Sequence, residues 1–465
     1  MEIKKGQELE IDVTDLAFGG KGLCRVDGFA LFVDQAVPGD RVRARVFRKK
    51  KNYAEARLLA VLDASVARVE APCPYSGSCG GCKWQFLAYD RQVDYKRQHV
   101  SDALKHIGGI DDVPVHETLP SEAVFGYRNK MEFSCADRRW LMSHEMGVPG
   151  VETDFALGLH VPGTYYKVLD ISACLLQPDL GNHILADCRR WMKASGLPAY
   201  GLKSHEGFWR FLMLRHSDAY DRWMVNLITS ADRPEVVQPI ADRIMDKYPA
   251  VVSVVNNITA RKAGVAFGER EVRLAGERAI KDRIGGFEFA ISANSFFQTN
   301  TAGARLLYET VKRYARLTGG ERLVDLYCGT GTIAIYLSEA ADSVIGMEIV
   351  ESAVRDAQAN ADLNGVSNCQ FILGDIRDRL ASLPDTPDVM IIDPPRDGMH
   401  KEVVFRILEL APEIIVYVSC NPATLARDVA LMRDHYRVCE VQPVDLFPHT
   451  WHIESVARLA LNKAS

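Results

Sequence analysis

The sequence predicts an α/β protein with an OB-like β-barrel at the N-terminus, an α+β region in the middle and a doubly wound, Rossmann-like sheet at the C-terminus. Three observations predict this. Short β-rich stretches separated by regular turn signals fill the first 66 residues. From about residue 290 strands alternate with helices, the pattern of a parallel sheet covered on both faces. The chain has 465 residues, enough for about two to four domains. The expected units are 1–66, 67–289 and 290–465. With 47% apolar and 25% charged residues, the composition excludes global disorder. No run approaches the roughly 18 apolar residues of a membrane span, so no membrane partner is expected. Residues Met1 to Gly6 begin no apolar signal segment, which makes the cytoplasm the expected location.

The barrel strands are read at Glu8–Val13, Gly22–Val26, Phe29–Val33, Arg41–Phe47 and Ala54–Val61. Gly19-Gly20, Asp27-Gly28 and Pro38-Gly39-Asp40 punctuate them. The net charge of −5 argues against nucleic-acid binding, but the average conceals a run. Arg41, Arg43, Arg45, Arg48, Lys49, Lys50 and Lys51 lie between Asp40 and Glu55 with no acid among them. Alternation with Val and Ala makes Arg41–Phe47 a strand with one basic face, and Arg48 to Lys51 a following loop. Such a face suits RNA phosphates; a charge-protected edge strand is the competing reading. The stretch from Asp15-Leu16-Ala17-Phe18-Gly19-Gly20-Lys21-Gly22 to Val37-Pro38-Gly39-Asp40 resembles the TRAM domain. That resemblance implies an RNA-binding module.

Three thiols follow within ten residues, Cys73, Cys79 and Cys82, in a C-x5-C-x2-C arrangement rich in Gly and Pro. Thiolates are soft ligands for iron–sulfur clusters or zinc. A fourth ligand would have to come from Cys135, Cys174, Cys188 or beyond, and spacing does not choose among them. Eleven cysteines in a reducing compartment are not expected to form disulfides.

In the C-terminal unit, strand Arg322–Tyr327 runs into Cys328-Gly329-Thr330-Gly331-Thr332 and a helix over Ile333–Ala341. Strand Ser343–Met347, helix Glu351–Asn364, strands Gln370–Leu373, Asp388–Ile392 and Glu413–Ser419, and a β-rich stretch from Tyr436 complete it. Ligands of such sheets bind at the carboxyl ends of the strands. The Gly-rich turn allows close backbone approach, and Glu348 at the end of the second strand can accept two ribose hydroxyls. NAD and S-adenosylmethionine both fit so far. Asp325-Leu326-Tyr327-Cys328-Gly329-Thr330-Gly331 more closely resembles the first motif of class I methyltransferases. By the same resemblance Asp375 would meet adenine.

Strand four ends in Asp393-Pro394-Pro395-Arg396, where consecutive prolines stiffen the chain and fix Asp393 at the sheet edge. Strand five ends in Ser419-Cys420-Asn421-Pro422. Carbon 5 of uracil is a poor nucleophile until a thiolate adds to carbon 6, so a cysteine here suits C5 methylation. A base must then remove the C5 proton. Glu454 in Pro448-His449-Thr450-Trp451-His452-Ile453-Glu454 is the candidate, with His449 and His452 as rivals.

The cysteine triplet with Gly80-Gly81, Phe296-Phe297-Gln298-Thr299-Asn300, Asp325–Gly331, Asp393–Gly398, Ser419–Pro422 and His449–Glu454 occur in this order. Together they resemble the RNA uracil-5 methyltransferase family, specifically its TRAM-bearing, iron–sulfur, 23S rRNA branch, across essentially the whole chain. The resemblance implies Cys420 as nucleophile and Glu454 as base. It implies Gln298, Tyr327, Thr332, Glu348, Asp375 and Asp393 as S-adenosylmethionine positions. Cys73, Cys79, Cys82 and Cys174 would hold a [4Fe–4S] cluster. Cys24, Cys135, Cys188, Cys328, Cys369 and Cys439 remain ordinary thiols. Two departures stand out: Thr332 replaces the usual Asn, and Trp451 stands where a small residue is usual. The expected function is methyl transfer to C5 of a uridine in ribosomal RNA, by a monomer, with the base flipped out. Alternatives are the same chemistry on tRNA, a non-catalytic RNA-binding protein and nitrogen methylation. The segment Tyr89–Ile107 is expected to pack on the last unit.

Overall fold

The computed structural model describes residues 3–262, 264–383 and 385–462. The N-terminal turns separate β1 (Glu8–Asp12), β2 (Asp15–Leu16), β3 (Gly22–Val26), β4 (Phe29–Asp34), β5 (Arg41–Lys49) and β6 (Tyr53–Asp63), paired in the order β1-β5-β6-β4-β3-β2. β1 and β2 are two halves of one run. Between them Val13 donates to the Asp40 carbonyl and Thr14 to the Leu23 carbonyl, so the sheet closes on itself. Closure removes exposed edges and surrounds a core that includes Leu9, Cys24, Leu31, Val33, Val42 and Val46.

In β5, Val42, Ala44 and Val46 point inward while Arg41, Arg43 and Arg45 are exposed, as the alternation requires. The strand does not stop at Phe47. It runs through Lys49 because, past an irregularity at Phe47, Arg48 and Lys49 pair with Glu55 and Ala54 of the long β6. Only Lys50 and Lys51 lie in the turn. The basic face is also partly neutralised from neighbouring strands: Arg41 pairs with Glu10, Arg45 with Glu8 and Arg48 with Glu55.

After the cysteine loop, α1 (Tyr89–His106) returns to the C-terminal unit. Lys96 donates to Asp445 Oδ1 at 2.6 Å with both side chains fully buried, and Tyr89 donates to Asp445 Oδ2 at 2.9 Å. The segment beyond α1 bridges Val115 to Val441 and Leu119 to Val444. The expected packing of this stretch on the last unit is therefore seen.

The central sheet has the order β13-β12-β11-β10-β7-β8-β9. Its strands are β7 (Lys130–Ala136), β8 (Ala156–His160), β9 (Val168–Asp170), β10 (Trp209–Ser217), β11 (Arg222–Thr229), β12 (Val251–Ile258) and β13 (Arg270–Gly276). Helices α2 (Asp179–Ala194) and α3 (Pro234–Lys247) pack on it through Ile184, Leu185, Ile240 and Ile244. A hairpin of β14 (Ala279–Ile284) and β15 (Phe287–Ser292) then inserts Ile280, Phe289 and Ile291 into the core of the last unit.

That unit opens with α4 (Thr301–Ala315), capped by Asn300, whose side chain accepts from the Gly303 amide. Its sheet is β16 (Arg322–Leu326), β17 (Ser343–Glu348), β18 (Cys369–Leu373), β19 (Val389–Ile392), β20 (Ile414–Ser419), β21 (Tyr436–Val444) and β22 (Glu454–Leu461). The intervening helices are α5 (Thr332–Leu337), α6 (Glu351–Leu363), α7 (Ile376–Leu380), α8 (Lys401–Leu410) and α9 (Pro422–Met432). The strand order is β18-β17-β16-β19-β20-β22-β21, with β22 alone running antiparallel to its neighbours. β16 lies at the switch point, where β17 and β18 extend one way and β19 and β20 the other. The crevice for a ligand opens there. Among the described residues no helix is long and apolar enough to cross a membrane.

Candidate active site

β16 ends at Leu326 and the chain turns at once. Tyr327 (φ 63°), Gly329 (φ 55°) and Gly331 (φ 76°) all adopt left-handed backbone. A Cβ at Gly331 would lie 2.8 Å from the Phe371 ring, so packing excludes a side chain there. A Cβ at Gly329 would meet nothing within 4 Å, so the space above the turn is open to a ligand. Glu348 faces this turn from the end of β17. Its Oε2 accepts from the Gly329 amide (3.1 Å), and its Oε1 from Ile349 (2.8 Å) and Val350 (2.9 Å). Three backbone amides thus orient one carboxylate at the crevice.

The other expected cofactor residues surround the same turn in different states. The Phe296 carbonyl accepts from the Thr330 hydroxyl at 3.1 Å, bringing the Gln298 segment to the turn. The Gln298 carbonyl accepts from Asn129 at 2.8 Å. Thr332, at the start of α5, shares its hydroxyl with Tyr308 at 2.8 Å. Asp375 caps α7 and holds Arg377 at 2.6 Å, and this guanidinium keeps its carboxyl down at about 2. Asp325 is fully buried beneath the turn; burial first, then Asp393, pushes it well above the carboxylate range.

β20 and β22 build the second half of the site. Their last paired residues are Ser419 and Ser455. Cys420 follows directly on β20 and Glu454 is the first residue of β22, so both stand at the same end of this strand pair. Burial first and Glu454 second push the Cys420 thiol up to about 11, against the pull of Arg396. Glu454 rises well above the usual range through burial and then Asp393, again opposed by Arg396. Asp393, immediately after β19, is pushed by burial to about 7. Cys420, Glu454, Asp393 and Arg396 thus form one electrostatic group. Arg396 also approaches His452 Nδ1 at 3.4 Å.

The two rival histidines separate. His449 (φ 64°) stacks on Phe125 with ring centres 4.4 Å apart, and its backbone amide donates to Gln92 at 2.8 Å. Its carbonyl accepts from Lys83 and Trp84 of the cysteine loop, so it ties that loop to the sheet. Burial pushes both His449 and His452 down to about 4, leaving them neutral near pH 7. Trp451 packs at a tilt against His452 (4.1 Å between ring centres) and meets Phe18 of the barrel edge-on (4.8 Å), which docks the barrel on this motif.

Cys73, Cys79, Cys82 and Cys174 line a single cavity of about 370 Å³, whose wall includes His452 and Thr299. Burial pushes Cys82 to about 12 and Cys174 to about 11. Among the described residues no three His, Cys, Asp or Glu side chains converge as a group that could hold a metal ion. The structure therefore gathers the four expected thiols but provides no coordination geometry for the metal or cluster expected there. Cys135, Cys188, Cys24, Cys328 and Cys369 are buried away from this cavity, and Cys439 is half-buried.

A methyltransferase domain model matches residues 317–437 and a TRAM domain model residues 2–59. An "uncharacterized RNA methyltransferase" of Chlorobaculum tepidum is 42% identical, with 98% of this chain and 96% of that protein covered. The chain belongs to this family of RNA methyltransferases. A second member, from Halalkalibacterium halodurans, is 37% identical over 99% of this chain and 98% of its own. The solved tRNA (uracil-54, C5)-methyltransferase of Pyrococcus abyssi, in complex with S-adenosyl-L-homocysteine, is similar to the whole chain. Its TM-score is 0.74 at 28% identity, covering 97% of this chain and 100% of that one. The protein is thus an S-adenosylmethionine-dependent RNA methyltransferase with a class I fold and an N-terminal TRAM domain. In this RNA methyltransferase, sequence reasoning missed Arg396, although the Asp-Pro-Pro-Arg run displayed it. It also missed the contact of Trp451 with Phe18, for which no local pattern exists.

Proposed function

We propose that this RNA methyltransferase transfers its methyl group to carbon 5 of a uridine. The observation that carries the reading is the electrostatic coupling of Cys420, just after β20, with Glu454, at the start of β22, at one end of the sheet. Nitrogen methylation needs no thiol at this place. The solved neighbour acting at C5 of a tRNA uracil supports the same chemistry.

S-adenosylmethionine supplies an electrophilic methyl group when bound. Glu348, Tyr327 and the open face of Gly329 are proposed to receive it, with Gln298 and Asp393 closing the reacting end. Thr332 and Asp375 take lesser parts, since Tyr308 and Arg377 already engage them. Cys420 adds through sulfur to uridine C6, and the electron pair released to the ring makes C5 the nucleophile that accepts the methyl. Arg396 favours the thiolate that this attack requires. Glu454 then removes the C5 proton, and elimination restores the Cys420 sulfur and the ring double bond.

Cys73, Cys79, Cys82 and Cys174 are proposed to hold a [4Fe–4S] cluster, whose thiolate bonds would tie the cysteine loop to the central unit. This reading rests on the sequence resemblance and on the four soft thiol donors lining one cavity. Residues 1–66, 67–289 and 290–465 are proposed as the barrel, central and methyltransferase units. The favoured substrate is ribosomal RNA, on the sequence resemblance; the solved neighbour supports tRNA as the second reading. Incubating both RNAs with labelled cofactor and identifying the methylated nucleoside by mass spectrometry tests both points. 5-Methyluridine in rRNA is the expected result. Product in tRNA alone moves the target, and a nitrogen-methylated nucleoside overturns the chemistry.

A further inference from the structure

The central unit carries an aromatic and basic surface that the reaction at the sheet edge does not use. Trp140 follows β7, Tyr165 and Tyr166 form the β8–β9 turn, and Lys203 lies on the loop before β10. Tyr165 is 66% exposed, and Trp140 and Tyr166 are each 39% exposed. The rings are not scattered. Tyr165 meets Tyr166 edge-on at 5.3 Å, and Lys203 Nζ lies 3.6 Å from the Tyr166 ring centre. Lys167 Nζ lies 3.7 Å from the Trp140 ring centre. Backbone bonds hold the framework: Trp140 donates to Val168 (2.8 Å) and Val161 to Lys167 (3.0 Å). Neither Lys167 nor Lys203 has a salt bridge among the described residues; Lys203 is exposed and Lys167 half-buried.

The same β8–β9 turn reaches in the other direction. Val161, Pro162 and Gly163 line a cavity of about 580 Å³ against the barrel, together with Lys21, Arg48 and Lys83. Cys79 and Cys82 line this cavity and also the cysteine cavity that His452 borders. Asp34 and Glu55 line this cavity too and pair with Lys21 and Arg48.

We propose that Trp140, Tyr165, Tyr166, Lys167 and Lys203 form a binding surface for an unpaired RNA segment flanking the target nucleotide. Exposed rings with adjacent ammonium groups suit bases stacked on their faces and phosphates beside them; regular duplex offers no open base face. Lys167 and Lys203 complement a polyanion, and the turn that carries Tyr165 and Tyr166 also borders the barrel cavity through Val161, Pro162 and Gly163. This inference depends on the RNA methyltransferase assignment and not on which uridine atom is methylated.

The test compares wild-type protein with Tyr165→Ala and Lys203→Glu on two RNAs. One is a short hairpin containing only the target loop, and the other is the same hairpin with a single-stranded extension. The expected result is a roughly 10-fold weaker Kd of Tyr165→Ala for the extended RNA, the loss of one stacked base. Affinity for the short hairpin, kcat at saturating RNA and the melting temperature should stay unchanged. Lys203→Glu should also lower the salt dependence of extended-RNA binding by about one phosphate contact. Equal affinity of both variants and wild type for the extended RNA overturns the proposal. So does equal loss on both RNAs, or undiminished wild-type binding when a complementary strand pairs the extension. If the flank effect appears while the methyl is found on nitrogen, the surface stands and the C5 reading fails.

Discussion

Cys420, Glu454, Asp393 and Arg396 come from three strand ends and share one low-dielectric edge, so their charges are coupled. Two predictions belong at this scale. Glu454→Gln removes the proton acceptor but keeps the nucleophile. It should transfer one methyl per enzyme and then stall, accumulating a denaturant-resistant protein–RNA adduct on ordinary RNA while turnover falls by about 10²–10⁴-fold. Rapid turnover without adduct would assign the base to another group. Asp393 provides a stability prediction. Its folded pKa, about 7, lies above its ordinary 3.8. The folded state therefore holds a proton that the unfolded state has released, and stability falls as pH rises from about 4 to about 7. Asp393→Asn should raise the melting temperature at pH 8, with the gain disappearing near pH 4. Each pKa unit is worth about 1.4 kcal/mol, so the gain is a few kcal/mol at most. Methyl transfer should be lost in the same variant. A melting difference independent of pH would contradict this account.

The elements show how much a local pattern can reveal. The β5 alternation was legible because a strand has period two, and Val42, Ala44 and Val46 are buried as expected. Its extension to Lys49 was not, because Glu55 on the partner strand decides it. The acids that neutralise Arg41 and Arg45 were likewise hidden, since they sit on β1 and meet β5 only after pairing. Glu348 was legible as a strand-end carboxylate, but not its three backbone donors. α1 makes the point most strongly: its position on the last unit was anticipated, yet the Lys96–Asp445 pair joins residues 349 apart. Burial depresses the Lys96 pKa, and Asp445 offsets only part of that effect. Lys96→Met should leave Asp445 buried without its cation and cost about 3–5 kcal/mol in chemical denaturation. Adding Asp445→Asn should recover part of the loss. If the single variant were as stable as wild type, α1 would not be clamped by this pair.

In the whole molecule, three units meet around one motif, His449 to Glu454. His449 holds the cysteine loop, Trp451 touches the barrel through Phe18, His452 borders the thiol cavity and the Glu454 charge acts on Cys420. The fold class and the order of motifs were legible because each motif is local. The convergence was not, because it depends on where the returning strand β22 enters the sheet. Cys174 shows the same boundary: spacing left Cys135, Cys174, Cys188 or beyond as a fourth thiol, the resemblance named Cys174, and the folded chain sets it in one cavity with the other three. The central claim is that Cys420 attacks carbon 6 of a uridine. RNA carrying 5-fluorouridine, which has no C5 proton to lose, tests it most directly when incubated with the protein and S-adenosylmethionine. The account predicts a covalent protein–RNA complex whose modified peptide carries the nucleotide on Cys420, absent in Cys420→Ala; no complex, or the same complex from Cys420→Ala, would contradict it.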